Sequence, residues 1–132
     1  MSQPTTFPVK VLKGKALDWA VATAEGLKSE TWRAKAITVL HPNAPRFVAF
    51  SPSSDWSHGG PIIEREKIDV FSSGAIWDAS TADRGNNAIQ SGQTPLIAAM
   101  RCLVESKLGA EIEIPTELES FVEPNNKKGP TP

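Results

Sequence analysis

The sequence predicts a single α+β domain in which two amphipathic helices cover a small, mostly antiparallel sheet. Two segments space their apolar residues as helices do, and several short β-prone runs lie between turn-forming residues. The 132 residues, 39% of them hydrophobic and 22% charged, suit one domain with one modest core. We expect an extended lead-in over residues 1–8, the domain over 9–122 and a flexible polar tail over 123–132.

The first helical segment is predicted over residues 15–27, after a short strand at 10–12. Successive helical residues step by about 100°, which places Asp18 on the polar side and Trp19 at the edge of the apolar stripe. From that edge Trp19 is better placed to line a cleft than to fill the core. The stripe consists of Ala16, Leu17, Ala20, Val21, Ala24 and Leu27.

Short strands are predicted from runs of β-prone residues. They lie at residues 36–40, 46–50, 75–79 and 111–114. The first two flank a proline-rich turn, a pattern typical of a β-hairpin. Residues 51–57 are expected to form a loop, and residues 61–70 a short extended piece with a turn.

The second helix follows a connection over residues 80–92 that is rich in Asp, Asn and Gly and is expected to be flexible. Thr94 is a good N-cap, Pro95 suits the first helical position, and Gly109 suits the end of the helix. Arg101 is predicted at the border of the apolar stripe. That stripe comprises Leu96, Ile97, Ala99, Met100, Leu103, Val104 and Leu108.

The charge pattern excludes some classes of partner. A net charge of −1 with scattered Lys and Arg argues against a nucleic-acid protein held by phosphate contacts. No apolar run approaches the roughly 20 residues of a membrane span, and residues 1–8 lack the apolar core of a signal peptide. We therefore expect a soluble, cytoplasmic protein. A second copy of the chain stays open as a partner, because a small domain can complete a pocket across a symmetric dimer.

Residues 55–64 combine an aromatic side chain, a histidine, two glycines and two carboxylates. The Gly59-Gly60 pair can present backbone N–H groups to an anion, and Trp56 offers a face for stacking. The alternative is an ordinary tight turn. The segment lacks the length and the lysine of a P-loop, and Pro61 removes one donor.

Three tryptophans each follow or precede an acidic residue. Trp19, Trp56 and Trp77 lie beside Asp18, Asp55 and Asp78. Aromatic faces can stack on a nucleobase while a carboxylate accepts from amino or hydroxyl groups. The alternative is that these rings only half-cover a small core. Trp32 is expected to be structural.

The start of the second helix favours an anion, because unpaired N–H groups and the helix dipole meet there. An anionic ligand could lie between Thr94, the pair Gly59-Gly60 and Arg101. The alternative for Arg101 is an ion pair with Glu105, four residues later on the same helix.

Catalysis is the less favoured reading of the sequence. His58 with Asp55 or Glu64 has the residue types of a general base and its partners. Only two histidines are present, without the spacing of metal ligands, and the single Cys102 is predicted on the helix face opposite the apolar stripe with no histidine nearby. We expect neither a metal nor a cofactor.

Several blocks of the sequence resemble the NinX-type proteins of lambdoid bacteriophages, a family of unknown function. They are GKALDWAVA at residues 14–22, DWSHGGPIIERE at 55–66, GQTPLIAAMRC at 92–102 and SKLG at 106–109. At Ser57 and His58 the chain departs from the residues expected in relatives, which argues against an essential role for His58. The resemblance implies a phage or prophage accessory protein in a bacterial cell, with no established reaction.

Together these patterns predict a protein that binds a small anionic ligand, such as a nucleotide or a nucleotide-derived host signal, without catalysis. Sequestering such a signal would act against host defence. Two alternatives stay open: a module that occupies a host protein, and a small hydrolase that uses His58. The candidate ligand-binding residues are Asp18, Trp19, Trp56, Gly59, Gly60, Trp77, Thr94 and Arg101.

Overall fold

The α+β class is confirmed by a computed structural model, which describes residues 5–31, 37–40, 43, 45–81 and 88–123. The helices are α1 (Gly14–Ala24), α2 (Trp56–Glu66) and α3 (Pro95–Leu108), with 3₁₀ turns at Val9–Val11 and Thr116–Phe121. The strands are β1 (Thr5–Pro8), β2 (Ser29–Thr31), β3 (Ile37–Leu40), β4 (Phe47–Ala49), β5 (Asp69–Ser73), β6 (Ile76–Ser80), β7 (Ile89–Gly92) and β8 (Glu111–Ile114).

Within the described residues the strands form three small antiparallel sheets. β1 pairs with β8, β2–β3–β4 form a second sheet, and β5–β6–β7 form a third. The predicted hairpin is confirmed, because β3 and β4 pair with Val39 opposite Val48. Ala36 and most of the proline-rich turn lie outside the described residues, as do Trp32, residues 82–87 and the tail from residue 124.

Helix α3 is the centre of the fold, and both of its predicted ends are confirmed. Thr94 Oγ1 accepts the Ile97 N–H at 3.1 Å, and Gly109 follows the last turn with φ of 102°. The helix packs against α1, α2 and the sheet β5–β6–β7. Every residue from 98 to 104 is therefore buried. The prediction that Cys102 faces away from the core is wrong, because the helix is covered on more than one side.

Helix α1 ends at Ala24, three residues before its predicted end, and Gly26 follows with φ of 71°. Its apolar stripe faces α3 and the 3₁₀ turn Thr116–Phe121. Asp18 is predicted on the polar side of the helix, where solvent would be expected, but the residue is only 5% exposed. A turn at residues 52–54 covers it, and the Ser53 N–H donates to Asp18 Oδ1 at 2.8 Å.

Helix α2 is the largest departure from the sequence prediction. Residues 56–66 form a helix where a loop, an extended piece and a turn are expected. Asp55 caps it, because its Oδ1 accepts the Ser57 N–H at 2.9 Å. Each of its two glycines disfavours the helix by about 1 kcal/mol, and its proline does so by about 3 kcal/mol. Packing against α3 therefore outweighs the local preference of this segment.

Two smaller predictions are also corrected. Residues 89–92 of the expected flexible connection form strand β7, which pairs with β6. The expected strand at residues 10–12 is instead the 3₁₀ turn Val9–Val11, followed by a bridge between Leu12 and Val122. The strands predicted near 75–79 and at 111–114 are confirmed as β6 and β8.

Gly59 is the closest point between α2 and its neighbours. A Cβ added there would lie 2.6 Å from Leu96 Cδ2 and 2.6 Å from the Pro52 carbonyl oxygen. At Gly60 the nearest atom, Cε3 of Trp56, would be at an ordinary 3.8 Å. Neither glycine has a positive φ, so Gly59 is required by space and not by backbone conformation.

The two glycines give a matched test of this packing. Gly59→Ala should lower the free energy of unfolding by about 1–3 kcal/mol, because the methyl group overpacks the contact with Pro52 and Leu96. Gly60→Ala should change it by less, because the methyl group finds room and the gain in helix propensity is opposed by its contact with the ring of Pro61. Urea denaturation of both variants measures the difference. Equal stabilities would contradict the helical packing described.

Candidate functional site

Two cavities are lined by the two charged residues that are buried in the described part of the chain, Arg101 and Asp18. The larger, here the Arg101 cavity, has a volume of about 480 Å³. Its polar lining includes Lys10, Gln93, Arg101 and Glu123, which come from four separate parts of the chain. Apolar side chains complete the wall, namely Ile76 and Ile89. The predicted role of Arg101 near a ligand is thus compatible with its position.

Arg101 is buried and makes three hydrogen bonds, which use three of its five N–H donors, and its predicted border position is corrected. The residue is 5% exposed. Nε donates to the Leu12 carbonyl at 2.8 Å, Nη1 to the Ser91 carbonyl at 2.8 Å, and Nη2 to Glu123 Oε2 at 3.0 Å. The expected pair with Glu105 is wrong, since Glu105 accepts from Gln90 Nε2 at 2.9 Å.

The charges lining the Arg101 cavity do not cancel. Lys10 and Arg101 are cationic, and Glu123 is the single carboxylate among the described lining residues. Glu123 is bonded to Arg101, whereas Lys10 is exposed. The cavity therefore carries one excess positive charge beside rigidly held donors. Such a surface attracts a small anion.

The second cavity, here the Asp18 cavity, has a volume of about 340 Å³. Lys15 and Asp18 of α1 face serines of the turn at residues 51–54, while Ile97 and Phe121 supply apolar surface. Burial raises the pKa of Asp18 from 3.8 to about 6, although hydrogen bonds from Ser53 and the charge of Lys15 act the other way. A titrating carboxyl in a concave site is typical of functional sites.

The two cavities share no lining residue, so Asp18 and Arg101 belong to separate sites. Sequence reasoning singled out one residue of each and joined them to one ligand. It missed Lys10 and Gln93 in the Arg101 cavity and Lys15 in the Asp18 cavity. Lys10 reaches its cavity only when distant segments meet, and no local pattern marks it. Lys15 precedes Asp18 by three residues on α1, a helical spacing that the sequence does show.

The tryptophans do not converge on either cavity. Trp56 begins α2 and is 55% exposed, and it lines neither cavity. Trp19 and Trp77 are half-buried and pack against the core. Trp77 lies on strand β6 opposite Gly92. Their predicted stacking role has no counterpart in the geometry of the two cavities.

The residues predicted to form an anion site at the start of α3 do not line one cavity together. Thr94 uses its side-chain oxygen to cap the helix, and it lines neither cavity. Gly59 and Gly60 lie inside α2 and not in a loop, and the Gly59 N–H donates to the Asp55 carbonyl at 2.9 Å. That N–H is therefore occupied within the helix.

The contacts of His58 hold its ring in place. Its Nδ1 accepts the Ser51 N–H at 2.9 Å, and its ring stacks on Phe50 with centroids 5.8 Å apart. The Asp55 carboxylate lies 4.0 Å from Nδ1 and accepts from Ser57, whose hydroxyl and N–H lower the pKa of Asp55. The nitrogen nearest to the proposed acidic partner is thus already used as an acceptor.

Cys102 is unsuited to nucleophilic chemistry. Its Sγ donates to the Ala88 carbonyl at 3.2 Å, and burial raises the pKa of the thiol to about 11. The thiolate is the reactive form, so this side chain stays inert near neutral pH. Within the described residues no three metal-binding side chains (His, Cys, Asp or Glu) lie together, and no helix is both long and apolar enough to cross a membrane.

The raised pKa of Asp18 makes a prediction about stability. Between about pH 4 and pH 6 the folded chain holds a proton that the unfolded chain releases, so this carboxyl lowers the free energy of unfolding as pH rises. A shift of about 2 units corresponds to about 3 kcal/mol. Asp18→Asn keeps an oxygen acceptor for the Ser53 N–H but cannot ionise.

We therefore expect Asp18→Asn to gain about 3 kcal/mol relative to the wild type between pH 4 and pH 7. Urea denaturation of both proteins at each pH measures this difference, and the wild type controls for every other titrating group. A difference that is constant with pH would show that Asp18 titrates normally.

Comparison with known proteins shows which family the chain belongs to. A family model described as "Bacteriophage P22, NinX" matches residues 9–107, about three quarters of the chain. The match includes α1, α2 and all but the last residue of α3. None of the curated proteins compared with the chain matches it significantly. The resemblance found in the sequence is confirmed, and the chain belongs to the NinX family of bacteriophage proteins.

Proposed function

We propose that this protein binds a small anionic ligand, such as a nucleotide or a nucleotide-derived host signal, without transforming it. The observation that carries the proposal is the Arg101 cavity, in which a buried guanidinium and an exposed Lys10 ammonium face the same space. Phosphate and carboxylate groups are the anions that such a pair of cations suits.

The size and lining of the cavity support a ligand of this class. About 480 Å³ lies within the range of 300–1,000 Å³ that is usual for small-molecule sites. Gln93 supplies an amide, while Ile76 and Ile89 offer apolar surface for a sugar edge or a base. The anionic part of the ligand would lie toward Lys10 and Arg101, and its less polar part along the two isoleucines.

Rigidity of the cationic wall also favours binding. Three hydrogen bonds hold Arg101 in one orientation, so little side-chain entropy is lost when a ligand arrives. Lys10 is the exposed cation of the same lining. A fixed guanidinium and an exposed ammonium in one cavity suit capture of an anion.

Binding is favoured over catalysis because the described residues that line the Arg101 cavity include no histidine and no cysteine. The carboxylate among them is paired with Arg101, and the Ser91 hydroxyl donates to Asp78 Oδ1 at 2.5 Å. A phage protein of the NinX family that holds a host nucleotide would lower its free concentration by mass action. Sequestration of a defence signal therefore remains part of the proposal.

A protein-binding module is the second candidate, and one surface favours it. The outer face of the sheet β5–β6–β7 exposes Phe71 and Ile89, at 50% and 61% of their surfaces. Ile76 lies on the same face and is 40% exposed. Clusters of exposed apolar side chains are typical of interaction surfaces.

A thermal-shift screen with nucleoside mono-, di- and triphosphates and cyclic nucleotides tests the main proposal. Ligand at a hundredfold over its dissociation constant should stabilise the fold by about 2.7 kcal/mol. Lys10→Glu should weaken the binding of a hit roughly tenfold, about 1.4 kcal/mol, because it reverses a charge at the rim. Isothermal titration calorimetry measures that change.

Lys28→Glu is the matched control, since Lys28 is exposed and lines neither cavity. It makes the same change in net charge and should leave the affinity within about twofold, a few tenths of a kcal/mol. Equal weakening by both variants would indicate a general charge effect and contradict a site at Lys10. No stabilisation by any of these anions would overturn the proposal.

A further inference from the structure

The Asp18 cavity brings one negative and one positive side chain to the same space. Asp18 and Lys15 are three residues apart on α1, so their Cβ atoms are about 5–6 Å apart on one face of the helix. Both residues line the cavity. The cavity therefore has no net charge but two separated poles.

The two poles are not neutralised by each other. The Lys15 ammonium lies over the Phe121 ring, 5.3 Å from its centroid, and makes no ion pair with Asp18 within the described residues. Asp18 accepts the Ser53 N–H, and among the described residues no cation forms an ion pair with it, although the charge of Lys15 lowers its pKa. Both charges are thus left without an ion pair.

Burial makes the absence of a cation at Asp18 costly. The residue is only 5% exposed, and a buried carboxylate is stabilised best by a counter-charge together with hydrogen bonds. Ser53 provides the hydrogen bonds and no charge. An ammonium group bound in the cavity would supply the missing charge.

The remaining lining divides into a polar and an apolar part. Ser51 and Ser54 add polar groups to the lining. Ile37, Ile97 and Phe121 supply apolar surface, and the Phe121 ring lies beside the Lys15 ammonium. A ligand matching this lining has an ammonium, a carboxylate and a short apolar group.

We propose that the Asp18 cavity binds a free α-amino acid with an apolar side chain, its ammonium on Asp18 and its carboxylate on Lys15. A simple anion would meet the Asp18 carboxylate, and a simple cation would meet the Lys15 ammonium, so only a zwitterion is attracted by both poles. A volume of about 340 Å³ is near the lower end for ligand sites and suits a molecule of this size. The site is separate from the Arg101 cavity.

Isothermal titration calorimetry on the wild-type protein tests the proposal with L-alanine, L-valine, L-leucine, L-methionine and L-phenylalanine. At least one should bind saturably. Two derivatives of that amino acid then remove one pole each, namely the N-acetyl form without the ammonium and the amide form without the carboxylate. Both should bind at least tenfold more weakly. Failure of all five amino acids to bind, or equal binding of either derivative, would overturn the proposal.

Variants locate the binding within the molecule. Asp18→Asn and Lys15→Gln should each weaken the amino acid at least tenfold, because each removes one pole. Lys28→Gln removes a lysine that lines neither cavity and should leave affinity unchanged. Lys15→Gln and the two derivatives decide the question independently of Asp18→Asn. Affinity unchanged in Lys15→Gln would exclude this site.

Lys10→Glu separates this inference from the anion site. It alters the Arg101 cavity alone, so amino-acid binding should not change while binding of the nucleotide hit weakens. Loss of both ligands in this variant would mean that one site binds both, which contradicts the assignment to Asp18.

Discussion

The fold depends on one buried cation, the Arg101 guanidinium, which needs hydrogen-bond acceptors and a counter-charge. Arg101 lies on the central helix and carries a permanent charge in a site that is almost closed to water. Three of its five donors are satisfied, by the Leu12 carbonyl, the Ser91 carbonyl and the Glu123 carboxylate, which lie far apart in the chain. A buried charge without partners costs several kcal/mol, so these three segments must meet at α3. The segments near Leu12 and Glu123 also pair directly, since the Glu123 N–H donates to the Val11 carbonyl.

Close packing around α3 completes this arrangement. Two glycines allow it, because a side chain at Gly59 would collide with Leu96 and one at Gly92 would lie 2.7 Å from the Ala98 nitrogen. Helix α2 and strand β7 can therefore approach the start of α3 from different directions. Helix α3 contributes to both cavities, since Arg101 lines one and Ile97 lines the other.

The two buried charges are stabilised unequally, and this difference bears on function. Arg101 has a counter-charge and two carbonyl acceptors, so its role is partly structural. Asp18 has hydrogen bonds from Ser53 but no ion pair, and burial raises its pKa to about 6. Fold stability would improve if this carboxyl were neutral, whereas a ligand with a positive group would benefit from its charge. The Arg101 cavity offers a rigid cationic wall, and the Asp18 cavity offers an unpaired carboxylate.

The sequence by itself determined the α+β class, the hairpin of β3 and β4, and both ends of α3, because Thr94, Pro95 and Gly109 act on the helix turn in which they lie. It also carried the blocks that place the chain in the NinX family. Of the candidate sites it supplied Asp18 and Arg101 but neither their burial nor their separation. Helical periodicity describes one apolar stripe, and it cannot show that a turn covers Asp18 or that α3 is enclosed at Cys102. Only the tertiary structure decided that residues 56–66 form a helix, because contacts of Gly59 with Pro52 and Leu96 outweigh the poor helix propensity of glycine and proline.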